Sequence, residues 1–162
     1  MNQPSHVSGD GMPPRLRGTV GLVAAITALA LSLVTMSPAI AGDPKGEWLT
    51  KDRDAKVRVA DCDGGLCGTV VWLRDPIDPA TGKPVADKHN VDQALRTRPL
   101  MGVQIVLDMK PSGTADKWTG HIYNSDDGKT YRGSIALTSP TTLKVEGCVL
   151  SFCEAEIWTR AE

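Results

Sequence analysis

From residue 46 to residue 160, apolar and polar side chains alternate in short runs separated by turn formers, the period-two signature of half-buried β-strands. Ala55 to Cys62 sets Val57 and Val59 against Lys56 and Arg58, and after Gly64-Gly65 the run Leu66 to Arg74 carries Val70, Val71, Trp72 and Leu73. Met101 to Met109 follows with Val103, Ile105 and Leu107 in phase, then Trp118 to Asn124, Thr130 to Thr138, Thr142 to Cys148 and Cys153 to Arg160. With Gly46 to Thr50 in front, the pattern predicts eight strands. Eight strands joined mostly by tight turns in so short a chain predict an all-β fold. The expected form is a small antiparallel up-and-down β-barrel, because closure removes the edges an open sheet would expose. A two-sheet β-sandwich is the alternative. Trp48 near the start and Arg160 at the end fit closure, since a guanidinium stacked on an indole would join the first strand to the last. Both are read as structural.

The alternation breaks between Asp75 and Leu100, a stretch rich in Pro, Asp and Lys that is too long for a plain hairpin loop. Within it Asn90 to Arg96 predicts a short helix capped by Asn90 and stopped by Pro99. Loops of this length in compact domains are commonly functional, and a lid over one barrel end is expected.

Residues 1–41 read as a leader. Arg15 and Arg17 precede an almost unbroken apolar run from Gly18 to Met36, and Ser37-Pro38-Ala39-Ile40-Ala41 offers small residues at the spacing of a signal-peptidase site. Cleavage after Ala41 is expected, with Met12 as the start that gives a leader of ordinary proportions and an uncleaved membrane anchor as the alternative. Residues 42–162 then form one exported domain, periplasmic or secreted, with no further membrane span. Removing Arg15, Arg17 and Asp10 leaves a net charge of −2, against −1 for the whole chain. The arginines are scattered rather than striped, so nucleic acid is not an expected partner.

Four cysteines lie in the exported part, as Cys62 and Cys67 and as Cys148 and Cys153. An oxidising compartment makes disulfides the first reading. Local pairing suits the Asp63-Gly64-Gly65 turn, whereas a Cys62 to Cys153 bridge would stabilise more, about 4.6 kcal/mol against about 2 in the chain-entropy model. Four zinc-bound thiolates are the functional alternative. The spacing is not that of a redox-active Cys-x-x-Cys pair.

With one Phe and two Tyr in the chain, the four tryptophans supply most of the aromatic area. Trp72 and Trp118 are read as core residues or, more sharply, as ligand contacts. Arg96 and Arg98 could hold a carboxylate or phosphate headgroup by paired hydrogen bonds, or order the loop by pairing with Asp75, Asp78, Asp87 or Asp92. Asn124 to Gly128 reads as a hairpin turn rather than a calcium loop. His89 and His121 have no nucleophile elbow or diagnostic partner, so no catalytic residue is assigned, and neither metal nor cofactor is expected.

Several of these residues carry a resemblance. Gly46-x-Trp48, Leu66-Cys67-Gly68, Val71-Trp72-Leu73, Leu95-Arg96-x-Arg98-Pro99-Leu100-x-Gly102, Trp118-x-Gly120-x-Ile122-Tyr123, Asp127-Gly128-Lys129-Thr130-Tyr131-x-Gly133, Gly147-Cys148 and Trp158-Thr159-Arg160 together resemble DUF2147, a family of exported bacterial proteins without an assigned activity. Where that pattern has Asn-Pro-Asp this chain has Asn90-Val91-Asp92, which loosens the turn. The Gly-x-Trp start and terminal Arg also resemble lipocalin and calycin barrels, which implies a cup for small hydrophobic molecules. The expected function is binding of a small, partly apolar molecule, lipophilic or anionic, inside the barrel, with Arg96 and Arg98 near its mouth. A cofactor-independent envelope enzyme using His121 or a buried Asp, and a structural or protein-interaction module, remain the alternatives.

Overall fold

The computed structural model describes residues 42–162, and the leader expected over residues 1–41 lies outside them. The period-two runs form β1 (Gly46–Leu49), β2 (Ala55–Cys62), β3 (Gly65–Leu73), β4 (Gln104–Pro111), β5 (Lys117–Asn124), β6 (Lys129–Ser139), β7 (Thr142–Val149) and β8 (Phe152–Arg160). Each pairs antiparallel with the next, and β8 returns to β1, so the sheet is a closed up-and-down barrel and not a sandwich. No helix among the described residues is long and apolar enough to cross a membrane. Both described chain ends and the β2–β3, β4–β5 and β6–β7 turns lie at one end, the lower end. The long segment and the β5–β6 and β7–β8 turns lie at the upper end.

The inward residues meet in one core. Trp48, Val57, Val59, Leu66, Val106, Met109, Ile135, Leu143, Val145 and Trp158 are buried there, with Ile105, Trp118, Ile122 and Leu137 packed against them. Burial of this apolar surface is the main force holding the wrapped sheet. The closing seam is short, because β1 has four residues and meets β8 only at Trp48↔Arg160 and Leu49↔Thr159. Side chains reinforce it. The Arg160 guanidinium lies 4.2 Å from the centre of the Trp48 ring and donates to the carbonyls of Lys45, Asp43 and Pro140, while Trp48 Nε1 donates to Pro44 O at 2.7 Å. Gly46, at φ +123°, makes room: a Cβ there would sit 2.8 Å from Arg160 Nη1.

Both disulfides are local, Cys62–Cys67 at the lower end and Cys148–Cys153 at the upper end. Neither a long-range staple nor a thiolate metal site is formed by these four sulfurs, because each hairpin bonds its own pair, Cys148 directly opposite Cys153 and Cys67 opposite Ala60, two positions before Cys62 on the facing strand.

Three local expectations change. Strand β4 starts at Gln104 rather than Met101, because Gly102 takes φ +88° and Val103 N–H bonds back to Leu100 O, which makes Met101-Gly102 a turn. The short helix is one 3-10 turn, Gln93–Leu95, and its cap is Asp92, whose carboxylate accepts from Ala94 N–H. The Asn90 side chain bonds instead to Asp87 and Tyr123. Finally, Val71 is an extra residue in β3: Val57 faces Val70 while Lys56 faces Trp72, a bulge that turns Trp72 to the outside.

Candidate functional site

The long segment is built as a nested pair of strand-like contacts, Ile77 against Pro84 and Ala86 against Pro99, closed by Asp87 N–H to Arg98 O and Leu100 N–H to Val85 O. It does not lie across the barrel mouth. Alternation along β5 sends Trp118 and Ile122 inward to the core and Tyr123 outward, and the segment folds against that outer face of β4 and β5 until Tyr123 is buried.

A polar latch holds it there. Asp87 is almost fully buried; its carboxylate accepts from the Tyr123 hydroxyl, from Asn90 Nδ2 at 2.8 Å and from Arg98 Nε at 2.9 Å, with Arg98 Nη2 in ion-pair contact at 2.7 Å. Asn90 also donates to the Tyr123 hydroxyl at 2.9 Å and accepts from Asp92 N–H, so each buried polar atom is satisfied. Burial alone would push the Asp87 carboxyl up, but the hydrogen bonds from Tyr123, Asn90 and Arg98 and the guanidinium charge together hold it below its ordinary value. Tyr123 is pushed up, first by burial and then by its bond to the Asp87 carboxylate.

A second contact joins the segment to the β5–β6 turn. Val91 N–H donates to Gly128 O at 3.3 Å, a bond that a proline at position 91 could not make. Gly128 stands at φ +70°, and a Cβ on it would overlap the His89 carbonyl. Gly128→Ala is therefore expected to cost about 1–3 kcal/mol and to lift the segment, which a changed chemical shift of the Asn90 side-chain amide would report. The turn uses the Asn124 and Asp127 side-chain oxygens itself: Asn124 Oδ1 accepts from Asp126 N–H, and Asp127 accepts from Lys129 N–H and the Tyr131 hydroxyl.

Between the segment and the wall lies an open groove of about 650 Å³. Its apolar floor and sides come from Val91, Leu95, Pro99, Met101 and Leu107, and Arg98 stands at its border with one guanidinium nitrogen, Nη1, outside the Asp87 pairing. The space falls within the roughly 300–1,000 Å³ of small-molecule sites.

The four residues considered as ligand contacts are not brought together. Arg98 lines this groove and is ordered by Asp87, which was among its expected acidic partners. Arg96 is exposed and outside the groove lining, its Nε bonded to Asn90 O at 2.7 Å. Trp72 is 40 % exposed on the outer surface, with the Lys56 ammonium 5.8 Å from its ring centre. Trp118 packs on the core and borders a second recess at the lower end, of about 490 Å³, with Cys62, Leu66, Met109 and Pro111. His121 is exposed opposite Leu107, His89 is exposed in the segment, and neither forms an ion pair among the described residues.

Sequence reasoning did not single out Asn90 or Tyr123 as site residues. A usable signal existed, since Tyr123 is an aromatic on the solvent phase of a half-buried strand, a position that calls for a cover.

Comparison with known proteins agrees with this architecture. A family model described as an uncharacterised protein conserved in bacteria, DUF2147, matches residues 46–160. Among solved structures, the chain is similar to protein HP1028 from the human pathogen Helicobacter pylori, described as belonging to the lipocalin family; the TM-score is 0.63 at 22 % identity, covering 75 % of this chain and 84 % of that one. No curated protein matches the chain.

Proposed function

The chain belongs to the DUF2147 family of uncharacterised bacterial proteins, and from its lipocalin-like barrel and the groove beside Arg98 we propose that it binds a small amphiphilic anion. The carrying observation is the setting of Arg98. A buried carboxylate holds its Nε and Nη2, leaving Nη1 outside that pairing on a residue that lines an apolar groove. A guanidinium held in this way loses little freedom on meeting a headgroup, so more of the contact energy is available as affinity. The apolar body of the ligand lies over Leu95, Met101 and Leu107. The lower half of the barrel is filled by Trp48, Met109, Ile135 and Leu143. Two local disulfides support work in an oxidising compartment, with residues 1–41 as the removable leader.

Decanoate and its neutral counterpart decanol are the probes. Calorimetric titration is expected to show decanoate bound in preference to decanol, and roughly tenfold weaker, the equivalent of about 1.4 kcal/mol, in Leu95→Glu and Met101→Glu, whose side chains are exposed and spare the fold. Equal binding of both probes, or decanoate binding indifferent to both substitutions, would remove the groove as the site.

A further inference from the structure

The short seam leaves part of β8 without a neighbour. Arg160 N–H bonds to Thr141 O on the β7 side and Ala161 N–H to Glu47 O on the β1 side, so even-numbered backbone groups of β8 face β7 and odd-numbered ones face β1. Strand β1 ends at Leu49, opposite Thr159, and the chain turns away through Thr50–Ala55. The backbone N–H and C=O groups of Cys153, Ala155 and Ile157 therefore meet no strand among the described residues.

This edge carries no proline, lysine or bulge: its ladder to β7 runs through eight consecutive pairs, and every residue from Phe152 to Ile157 is exposed. The Cys148–Cys153 bridge fixes its outer end. Glu154 and Glu156 share the face of Trp158, and neither is in an ion pair among the described residues; Glu156 only accepts from Trp158 Nε1. Ile157, half-exposed, stands on the other face.

We propose that the Cys153–Ile157 edge docks an extended segment of a partner protein that carries Lys or Arg at every second position with apolar residues between. Strand addition supplies main-chain hydrogen bonds, and side chains at alternate positions supply selectivity. Basic residues at a two-residue spacing meet Glu154 and Glu156 on one face, and the intervening apolar residues meet Ala155 and Ile157 on the other. A second copy of this chain does not fit: antiparallel self-pairing centred on Ala155 sets Glu154 of one copy directly against Glu156 of the other, and like charges opposite each other repel.

The test uses the oxidised protein and three capped peptides: an alternating lysine–valine octapeptide, an alternating glutamate–valine octapeptide, and a block octapeptide in which all the lysines precede all the valines. The alternating basic peptide is expected to bind, by fluorescence anisotropy, and to slow hydrogen exchange at the Ala155 and Ile157 amides, while the alternating acidic one does not. The double variant Glu154→Lys/Glu156→Lys should reverse that preference. Ala155→Pro removes an edge N–H without touching the β7 ladder and should weaken the alternating basic peptide roughly tenfold. Failure of that peptide to bind overturns the proposal. So does equal binding of the block peptide without protection of those amides, which would mean charge attraction alone. Protection of the same amides that rises with protein concentration, with no peptide present, would assign the edge to self-association and also overturn it.

Discussion

Replacing Asp87 by Ala is expected to free the segment from Asp75 to Leu100 while leaving the barrel wrapped. The substitution strands Arg98, Asn90 and the Tyr123 hydroxyl, all now bonded to one buried carboxylate. Breaking a buried charge pair from one side costs about 3–5 kcal/mol; the lower part of that range applies, since the Arg98 side chain is 36 % exposed and regains water. Limited proteolysis should cut between Val85 and Leu100 in the variant, with amide protection in β5 to β8 retained. Equal resistance of variant and parent would show that the latch does not hold the segment. The same carboxylate sets a pH limit. Its folded-state pKa lies below the ordinary 3.8, so its stabilisation is complete above that value and is lost as the pH falls through the lower, folded one. Asp127, held low in the same direction against the pull of burial by Tyr131 and Lys129, adds to the loss at the neighbouring turn. The parent segment should thus become cleavable by an acid protease only below about pH 4, whereas Asp87→Ala is cleavable across the whole range.

Trp48→Ala carries the other large effect, and it falls on the barrel itself. Trp48 is fully buried at the seam, where its ring packs in the core and supports Arg160. Truncating a buried Trp costs about 3–5 kcal/mol through lost burial and the cavity left behind. Denaturant unfolding followed by near-ultraviolet circular dichroism should show this loss. Arg160→Lys should cost less, because its three carbonyl acceptors lie where water can replace the guanidinium. The reverse order would mean that the seam is held by the guanidinium network and not by the indole.

The strands were legible because a wall with core on one side and water on the other forces alternation, and Val57, Val59 and Thr142 to Cys148 state it in their side chains; in β4 the expected phase of Val103, Ile105 and Leu107 slips, since Val106 enters the core and Leu107 faces the outer groove. Trp72 was not legible in the same way. Its direction depends on the extra residue Val71, and a bulge leaves no mark in a pattern that is apolar at four successive positions. The long segment was visible as a break in alternation, but its docking direction was not, since that is set by Tyr123 pairing with residues about thirty positions earlier in the chain. The two arginines illustrate the limit. Both stood out, yet only the fold shows that Arg98 reaches Asp87 and the groove while Arg96 closes a local carbonyl.

Each disulfide joins cysteines five positions apart, at the base of its own hairpin. For a polypeptide that emerges progressively from a ribosome or a translocation pore, Cys62 and Cys67 are together before Cys148 exists outside. Oxidation in order of appearance therefore yields the native connectivity, without a shuffling step by an isomerase and without waiting for Trp48 and Arg160 to meet.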